Sequence, residues 1–398
     1  MTDMKRWLLP DGVEEILPLE AYKLESLRRE LLNLYQSWGY ELVITPLIEY
    51  LDSLLVGSSH DLDLHTFKIT DQLSGRMMGI RADITPQVAR IDAHCLNRDG
   101  PVRLCYSDNV LHTKPRGLMT SRVPIRIGAE LFGHTGEDCD VELICLMNQT
   151  LKSVGVDDIH IVLGHVGIFR ALVCEAKLGK TTEQSLFDAV QRKAYDEIDK
   201  VLGDAVPSST LRDMLQKLTR LSGDENTLTR ALTIFADAPE CVRVELEELV
   251  TVVKEVKQRI PGTPLFFDLC ELRGYEYHTG IVFAAYTSTY GRAVAKGGRY
   301  DHIGEVFGRA RPASGFDSDL KVLAKLSSKV PKRTPGIVAP NIVDEELSAS
   351  IDNLRNQGEI VVVNLANEIL SDGVLQELNC DREIVRKDDS WIVDPVTK

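Results

Sequence analysis

The sequence predicts an α+β protein: a mixed, mostly antiparallel sheet with flanking helices, a helical insertion into that sheet, and a small C-terminal α/β unit. Three observations carry this. Short strand-like apolar runs punctuated by Gly and Pro fill 1–167 and return over 259–330. The stretch between them, 168–258, is almost wholly helical in pattern. Beyond a linker at Lys332–Pro335, residues 331–398 alternate strand and helix.

Taken in order, 19–38 places Leu24, Leu27, Leu31, Leu34 and Trp38 at helical spacing, with Gly39 as the stop. That stripe needs burial, and a symmetric interface between two copies would supply part of it. YELVIT (40–45) alternates as a strand that Pro46 ends. Residues 65–83 read as two strands around a polar turn at Asp71–Gly75. DITPQVARIDAHCL then opens a helix, with Asp83 or Thr85 as cap and Pro86 at its first position. Strands are expected at 102–106, 123–133 and 158–163. The helical stretch has polar breaks at Gly203–Ser209 and Leu221–Glu225, and Pro261 and Pro264 close it. Strand-like FFDL, IVFAAY and AVAKG follow. SGFDSDLKVLAKL (314–326) reads as a helix, with Phe316, Leu320, Leu323 and Leu326 on one face and Asp317, Ser318 and Asp319 in its first turn. The last unit reads GIVAP, EELSASIDNLRN, EIVVVNL, a further helix and REIVRK.

At 398 residues, 43% apolar and 27% charged, the chain has the composition of a soluble globular protein of two or three domains. Its net charge of −14 argues against generic binding to nucleic acid or anionic membranes. No run of apolar residues is long enough for a transmembrane helix. The opening MTDMKRWLLPDGVEEILP carries charges and two prolines where a signal peptide needs an apolar core. The eight cysteines form no C-x-x-C pair and most have apolar neighbours, which reads as reduced core thiols in a cytoplasmic protein.

Four stretches in order resemble histidyl-tRNA synthetase, a class II aminoacyl-tRNA synthetase. GYELVITPLIEY (39–50) resembles motif 1, which builds that family's dimer interface. IRADITPQVARI (80–91) resembles the segment that holds the histidine amino group. ELRGYEYHTGIVF (271–283) is similar to the signature specific to histidyl enzymes, and GGRYD (297–301) to the segment preceding motif 3. The likeness covers roughly residues 10–328 and implies a class II synthetase-like core.

Free histidine offers an ammonium, a carboxylate and an imidazole, so its pocket needs an acid, a cation and a polar edge reader. By resemblance, Asp83 and Thr85 accept from the ammonium and Glu130 reads the imidazole. Arg273 forks onto the carboxylate, as lysine cannot. Tyr277 and His278 follow on the same turn, with His278 where the family has a second tyrosine. Arg126 stands where the family has a glutamine near the amino acid. Other uses stay open to the same residues. Asp83 and Thr85 could serve as a helix cap alone, Arg273 and Glu130 as a structural ion pair, and His278 as a structural histidine.

The nucleotide side of the resemblance is broken. ATP brings three to four negative charges that class II enzymes offset with two arginines and magnesium. In NVLHTKPRG (109–117), Leu111 replaces the motif 2 arginine and Thr113 its glutamate, with Lys114 and Arg116 displaced from those positions. In motif 3, Val322 stands at the arginine and Asp319 at a glycine. Losing such groups costs several kcal/mol of transition-state stabilisation each. The tail agrees: residues 331–398 hold 7 Lys/Arg against 13 Asp/Glu, opposite to a tRNA-binding surface.

A retained histidine pocket beside a dismantled ATP site resembles the regulatory subunits of ATP phosphoribosyltransferase. That resemblance implies a homodimer within a hetero-oligomer, partnered with the short-form catalytic subunit of the first step of histidine biosynthesis. Histidine is the implied effector. No tRNA, membrane, metal or cofactor is implied, and no catalytic residue. The rival readings are an active histidyl-tRNA synthetase, a class II paralogue such as an amino-acid ligase, and a scaffold with a dead pocket.

Overall fold

The computed structural model describes residues 7–56, 60–115, 120–272, 274–275, 277–366 and 369–396. Two compact units divide the chain, 1–329 and 330–398. Among its described residues the larger unit carries twelve strands: β1 Glu41–Leu42, β2 Ile48–Tyr50, β3 Phe67–Thr70, β4 Met77–Ile80, β5 Val102–Asn109, β6 Ile125–Phe132, β7 Ile159–His165, β8 Ser222–Gly223, β9 Leu265–Asp268, β10 Ile281–Thr287, β11 Tyr290–Arg299 and β12 Ala313–Asp319. Nine of them form one sheet in the order β1-β5-β6-β12-β11-β10-β7-β9-β8, and the others a small sheet β2-β4-β3. The pairs in the large sheet are antiparallel except β1 with β5 and β7 with β9. The mostly antiparallel α+β architecture read from the sequence is the observed one.

Helices cover the sheet because their apolar stripes match its faces. Leu24, Leu27, Leu31 and Tyr35 of the helix Pro18–Ser37 are buried in the main core with Ile127, Ala129 and the helix Asp138–Ser153. Leu34 and Trp38, the other members of the stripe, are only partly buried against the same core, so the chain covers most of the stripe but not all of it. A run of exposed apolar residues lies just beyond, at Leu42, Ile44, Leu47 and Ile48.

Between β7 and β9 run the helices Val166–Glu175, Lys180–Gln191, Tyr195–Ala205, Ser209–Leu218, Asn226–Ile234 and Glu240–Arg259. Phe169, Leu172, Leu246 and Val253 from this segment share one core with Leu163 and Ile281 of the sheet.

The helix expected over 314–326 is a strand in its first half. β12 lies between β6 and β11, with Phe316 opposite both Ala129 and Gly297. The four-residue spacing of Phe316 and Leu320 suits a helix, but it equally suits a strand that buries Phe316 and then hands over to a helix. Pairing on both edges decides for the strand. Asp319 ends it and caps the helix Leu320–Leu326, accepting from the Lys321 amide at 3.0 Å. The 40–45 strand is likewise shortened to β1, because only its first residues reach an edge of the sheet.

The second unit is a four-stranded sheet in the order β14-β13-β15-β16, from β13 Gly336–Pro340, β14 Val361–Asn364, β15 Cys380–Lys387 and β16 Ser390–Pro395. β16 was not legible in the sequence. It joins β15 through Asp388 and Asp389, both with positive φ (45° and 60°), a tight turn made without the usual glycine.

A buried ion pair locks the large sheet to its helices. Arg299 of β11 donates to Asp140 (Nη2 to Oδ2, 2.5 Å), and the Ser314 hydroxyl of β12 donates to the other Asp140 oxygen at 2.7 Å. Breaking such a pair strands one buried charge. We expect Asp140→Ala to destabilise the fold by about 3–5 kcal/mol, measured by chemical unfolding. The double variant Asp140→Leu/Arg299→Met should recover a large part of that loss; equal losses would show that the charge pair is not the cause.

Candidate functional site

A cavity of about 190 Å³ opens where β6, β10, β11 and β12 meet the start of the helix Thr85–Arg90. Sites for drug-sized ligands run to roughly 300–1,000 Å³, so this one suits a molecule of amino-acid size. Glu130 of β6 is its centre, and only 1% of this residue is exposed. Three hydroxyls converge on its carboxyl: Thr85 Oγ1 donates to Oε1 at 2.9 Å, Tyr106 of β5 to Oε1 at 3.0 Å, and Tyr300 to Oε2. Gly315 of β12 lies against the same group, and a Cβ there would fall on Oε2. Burial pushes the Glu130 pKa up to about 8, against the pull of the three hydroxyls, with the Asp83 charge adding to the rise.

The remaining residues named from the sequence are distributed as follows. Asp83 and Thr85 both line the cavity. Asp83 Oδ1 also accepts from the amides of Ile84 (2.6 Å) and Thr85 (3.2 Å), so it caps the helix start and faces the pocket at once. Tyr277 and His278 form part of the wall, their rings 4.4 Å apart between centroids. They sit on a turn at Gly274, whose φ is +75° and where a Cβ would meet both side chains. Arg273 lies outside the described residues, as does Arg116.

Arg126 is not among the lining residues. It stands behind Asp317, which lines the cavity, with Arg126 Nη1 3.3 Å from Asp317 Oδ2. Asp83 and Asp319 add to the negative surroundings that raise the Arg126 pKa against its burial. Asp319 is itself pushed up by burial, with Arg126 pulling it down.

Sequence reasoning missed Tyr300, Asp317, Glu271 and Lys296 as pocket residues, and Tyr106 as a support of Glu130. Tyr300 was within reach as the tyrosine of GGRYD. Tyr106 carried no signal, since a tyrosine in an apolar strand looks like core.

Among the described residues, His165, Glu245 and Glu248 have ligand-type atoms within 4.8 Å of one another. The two imidazole nitrogens face different carboxylates, Nδ1 toward Glu245 at 3.3 Å and Nε2 toward Glu248 at 3.8 Å. The ring therefore bridges the glutamates instead of joining them around one point.

Comparison with known proteins places the chain in a family. A histidyl-tRNA synthetase family model matches residues 12–323, and one described as the ATP phosphoribosyltransferase subunit HisZ C-terminal domain matches 334–394. The ATP phosphoribosyltransferase regulatory subunits of Stutzerimonas stutzeri and Ectopseudomonas mendocina are each 51% identical over 397 residues, covering 100% of both chains. A solved structure titled ATP phosphoribosyltransferase regulatory subunit/histidyl-tRNA synthetase from Bacillus halodurans superposes with a TM-score of 0.81 at 25% identity, covering 96% of this chain and 98% of that one. The histidyl-tRNA synthetase of Nostoc shares the fold, with a TM-score of 0.77 at 18% identity over 95% and 91% of the two chains. On full-length identity and on both family matches, this chain belongs to the family of ATP phosphoribosyltransferase regulatory subunits.

Proposed function

We propose that this chain is the non-catalytic regulatory subunit of a short-form ATP phosphoribosyltransferase, acting in the first step of histidine biosynthesis and sensing free histidine for feedback inhibition. The observation that carries the reading is Glu130: a buried acid at the floor of a pocket of amino-acid size, with Asp83 on the same wall. An imidazole can share a proton with such a group, and an ammonium can pair with Asp83. By resemblance, Arg273 takes the carboxylate. The names of the full-length relatives support the partner and the regulatory role.

Synthetase chemistry fits poorly. Arg126, a cation beside the pocket, already faces Asp317, Asp83 and Asp319, so its charge is largely taken up by carboxylates and is little available to a triphosphate. Leu111 and Val322 bring no charge where the synthetases have arginine. A sensor needs only to bind histidine more tightly in one quaternary state than in another.

Co-purification with the catalytic subunit, then rate measurements with and without histidine, tests the reading as a whole. Failure of the two chains to associate would end it. The purified chain alone is expected to show no histidine-dependent ATP–pyrophosphate exchange; exchange above a no-enzyme control would restore the synthetase alternative.

Removing one charged partner from a desolvated ligand costs about 2–5 kcal/mol. Glu130→Ala should therefore weaken histidine binding at least about thirtyfold by calorimetry, and unchanged affinity would show that Glu130 is not in the site. The same residue sets a pH dependence. The folded chain holds the Glu130 proton more tightly than the unfolded chain, whose value is the ordinary 4.5. The stability this group contributes is thus complete in acid and is lost as pH rises from about 4.5 to about 8. Glu130→Gln removes that loss, so its melting temperature should gain on the parent's between pH 5 and 8. Parallel curves would contradict the buried-acid assignment.

The exposed apolar run Leu42, Ile44, Leu47 and Ile48 is the surface we assign to a homodimer, in keeping with the resemblance of 39–50 to motif 1. Ile44, at 81% exposure, is its most prominent residue. Ile44→Lys is expected to shift the chain to monomer in sedimentation velocity, whereas an unaltered dimer would move the interface elsewhere.

A further inference from the structure

The outer wall of the pocket is the turn bearing Tyr277 and His278, and the helices between β7 and β9 grip that turn from outside. Arg170, in the helix Val166–Glu175, donates through Nη2 to the carbonyls of both Tyr275 (2.8 Å) and His278 (3.0 Å). Its guanidinium also lies 4.9 Å from the centre of the Tyr275 ring. The Tyr275 ring packs against Phe169 at 5.6 Å and Phe187 at 5.3 Å. Its hydroxyl donates to Glu183 Oε1 at 2.7 Å, a charge-assisted bond to the helix Lys180–Gln191. Burial and the Glu183 carboxylate both push the Tyr275 pKa up, which keeps the phenol protonated as the donor.

Tyr275 does not line the cavity and reaches into the helices, while two and three residues later the same turn presents Tyr277 and His278 to the cavity. One short segment thus has side chains in both compartments, Tyr275 among the helices and Tyr277 with His278 at the cavity. Arg170 holds both ends of it at fixed carbonyls, so a ligand that settles the wall must also settle Tyr275. We infer that Tyr275 is a positioning residue that couples histidine occupancy of the pocket to the helix Lys180–Gln191 through Glu183. The inference rests on the histidine reading above, and makes that helix the place where the rest of the chain first registers the effector. By linkage, whatever frees the helix from the turn weakens histidine binding by the same factor that histidine would otherwise tighten the helix.

Hydrogen–deuterium exchange on the full chain, with and without saturating histidine, tests this alongside calorimetry. In the parent, histidine slows exchange over 274–278 and over 180–191. Tyr275→Phe keeps the ring contacts with Phe169, Phe187 and Arg170 but loses the bond to Glu183. It should bind histidine roughly five- to tenfold more weakly, the low end of coupling factors, and lose the protection over 180–191 while keeping it over 274–278. Glu183→Gln can still accept from the phenol and retains the protection; Glu183→Ala, which changes nothing in the turn itself, loses it. Protection over 180–191 that persists in Tyr275→Phe or Glu183→Ala overturns the coupling, and so does a parent that binds histidine with no change there. A parent that gives no binding heat defeats the histidine reading and this inference together, an outcome distinct from binding without coupling.

Discussion

A buried carboxyl group is costly, and Glu130 is one that meets no cation at contact distance among the described residues. What makes it tolerable is three hydroxyls arriving from three parts of the chain: Thr85 at a helix start, Tyr106 on β5 and Tyr300 just after β11. Gly315 on β12 must also lack a side chain for the group to fit. These demands fix β5, β6, β12 and β11 side by side in that order, the order seen in the middle of the large sheet. The Asp140–Arg299–Ser314 cluster then ties β11 and β12 to the covering helix. Sheet order, helix docking and pocket floor are one constraint.

On the proposed function, the same strands would let a synthetase-like fold hold an effector without using it as a substrate. Asp317 and Asp319 follow Phe316 on β12, and Asp317 takes Arg126. In a solvated patch this pair would contribute little. Here both partners are mostly buried, at 15% and 14% side-chain exposure, so their field acts on whatever enters the cavity beside them. A zwitterion with a small polar ring suits those surroundings better than a polyanion. The reading of a sensor follows from this asymmetry between the two ends of an inherited site.

The sequence made the local features readable: strand and helix identity where apolar periodicity was clean, as in β6, β10 and the helix Pro18–Ser37, and the pocket residues carried by contiguous motifs, such as Asp83 with Thr85 and Tyr277 with His278. It could not resolve 314–319, because Phe316 and Leu320 satisfy a helical spacing and only pairing with β6 and β11 makes the segment a strand. The stripe on the first helix was legible as apolar but not as to what covers it. Tyr106, Tyr300 and Tyr275 were missed for a common reason: each acts through a partner distant in sequence, Glu130 for the first two and Glu183 for the third. The β15–β16 hairpin turns on Asp388-Asp389, whose left-handed backbone is not what those residues usually signal.

The central claim is that histidine acts on the enzyme through the pocket floored by Glu130. The direct measurement is the histidine inhibition curve of the reconstituted ATP phosphoribosyltransferase, assembled once with the parent chain and once with Glu130→Gln. The account predicts that both complexes form and turn over at comparable rates without histidine, and that the variant's curve moves to markedly higher histidine concentration. Superimposable curves from two intact complexes would contradict it.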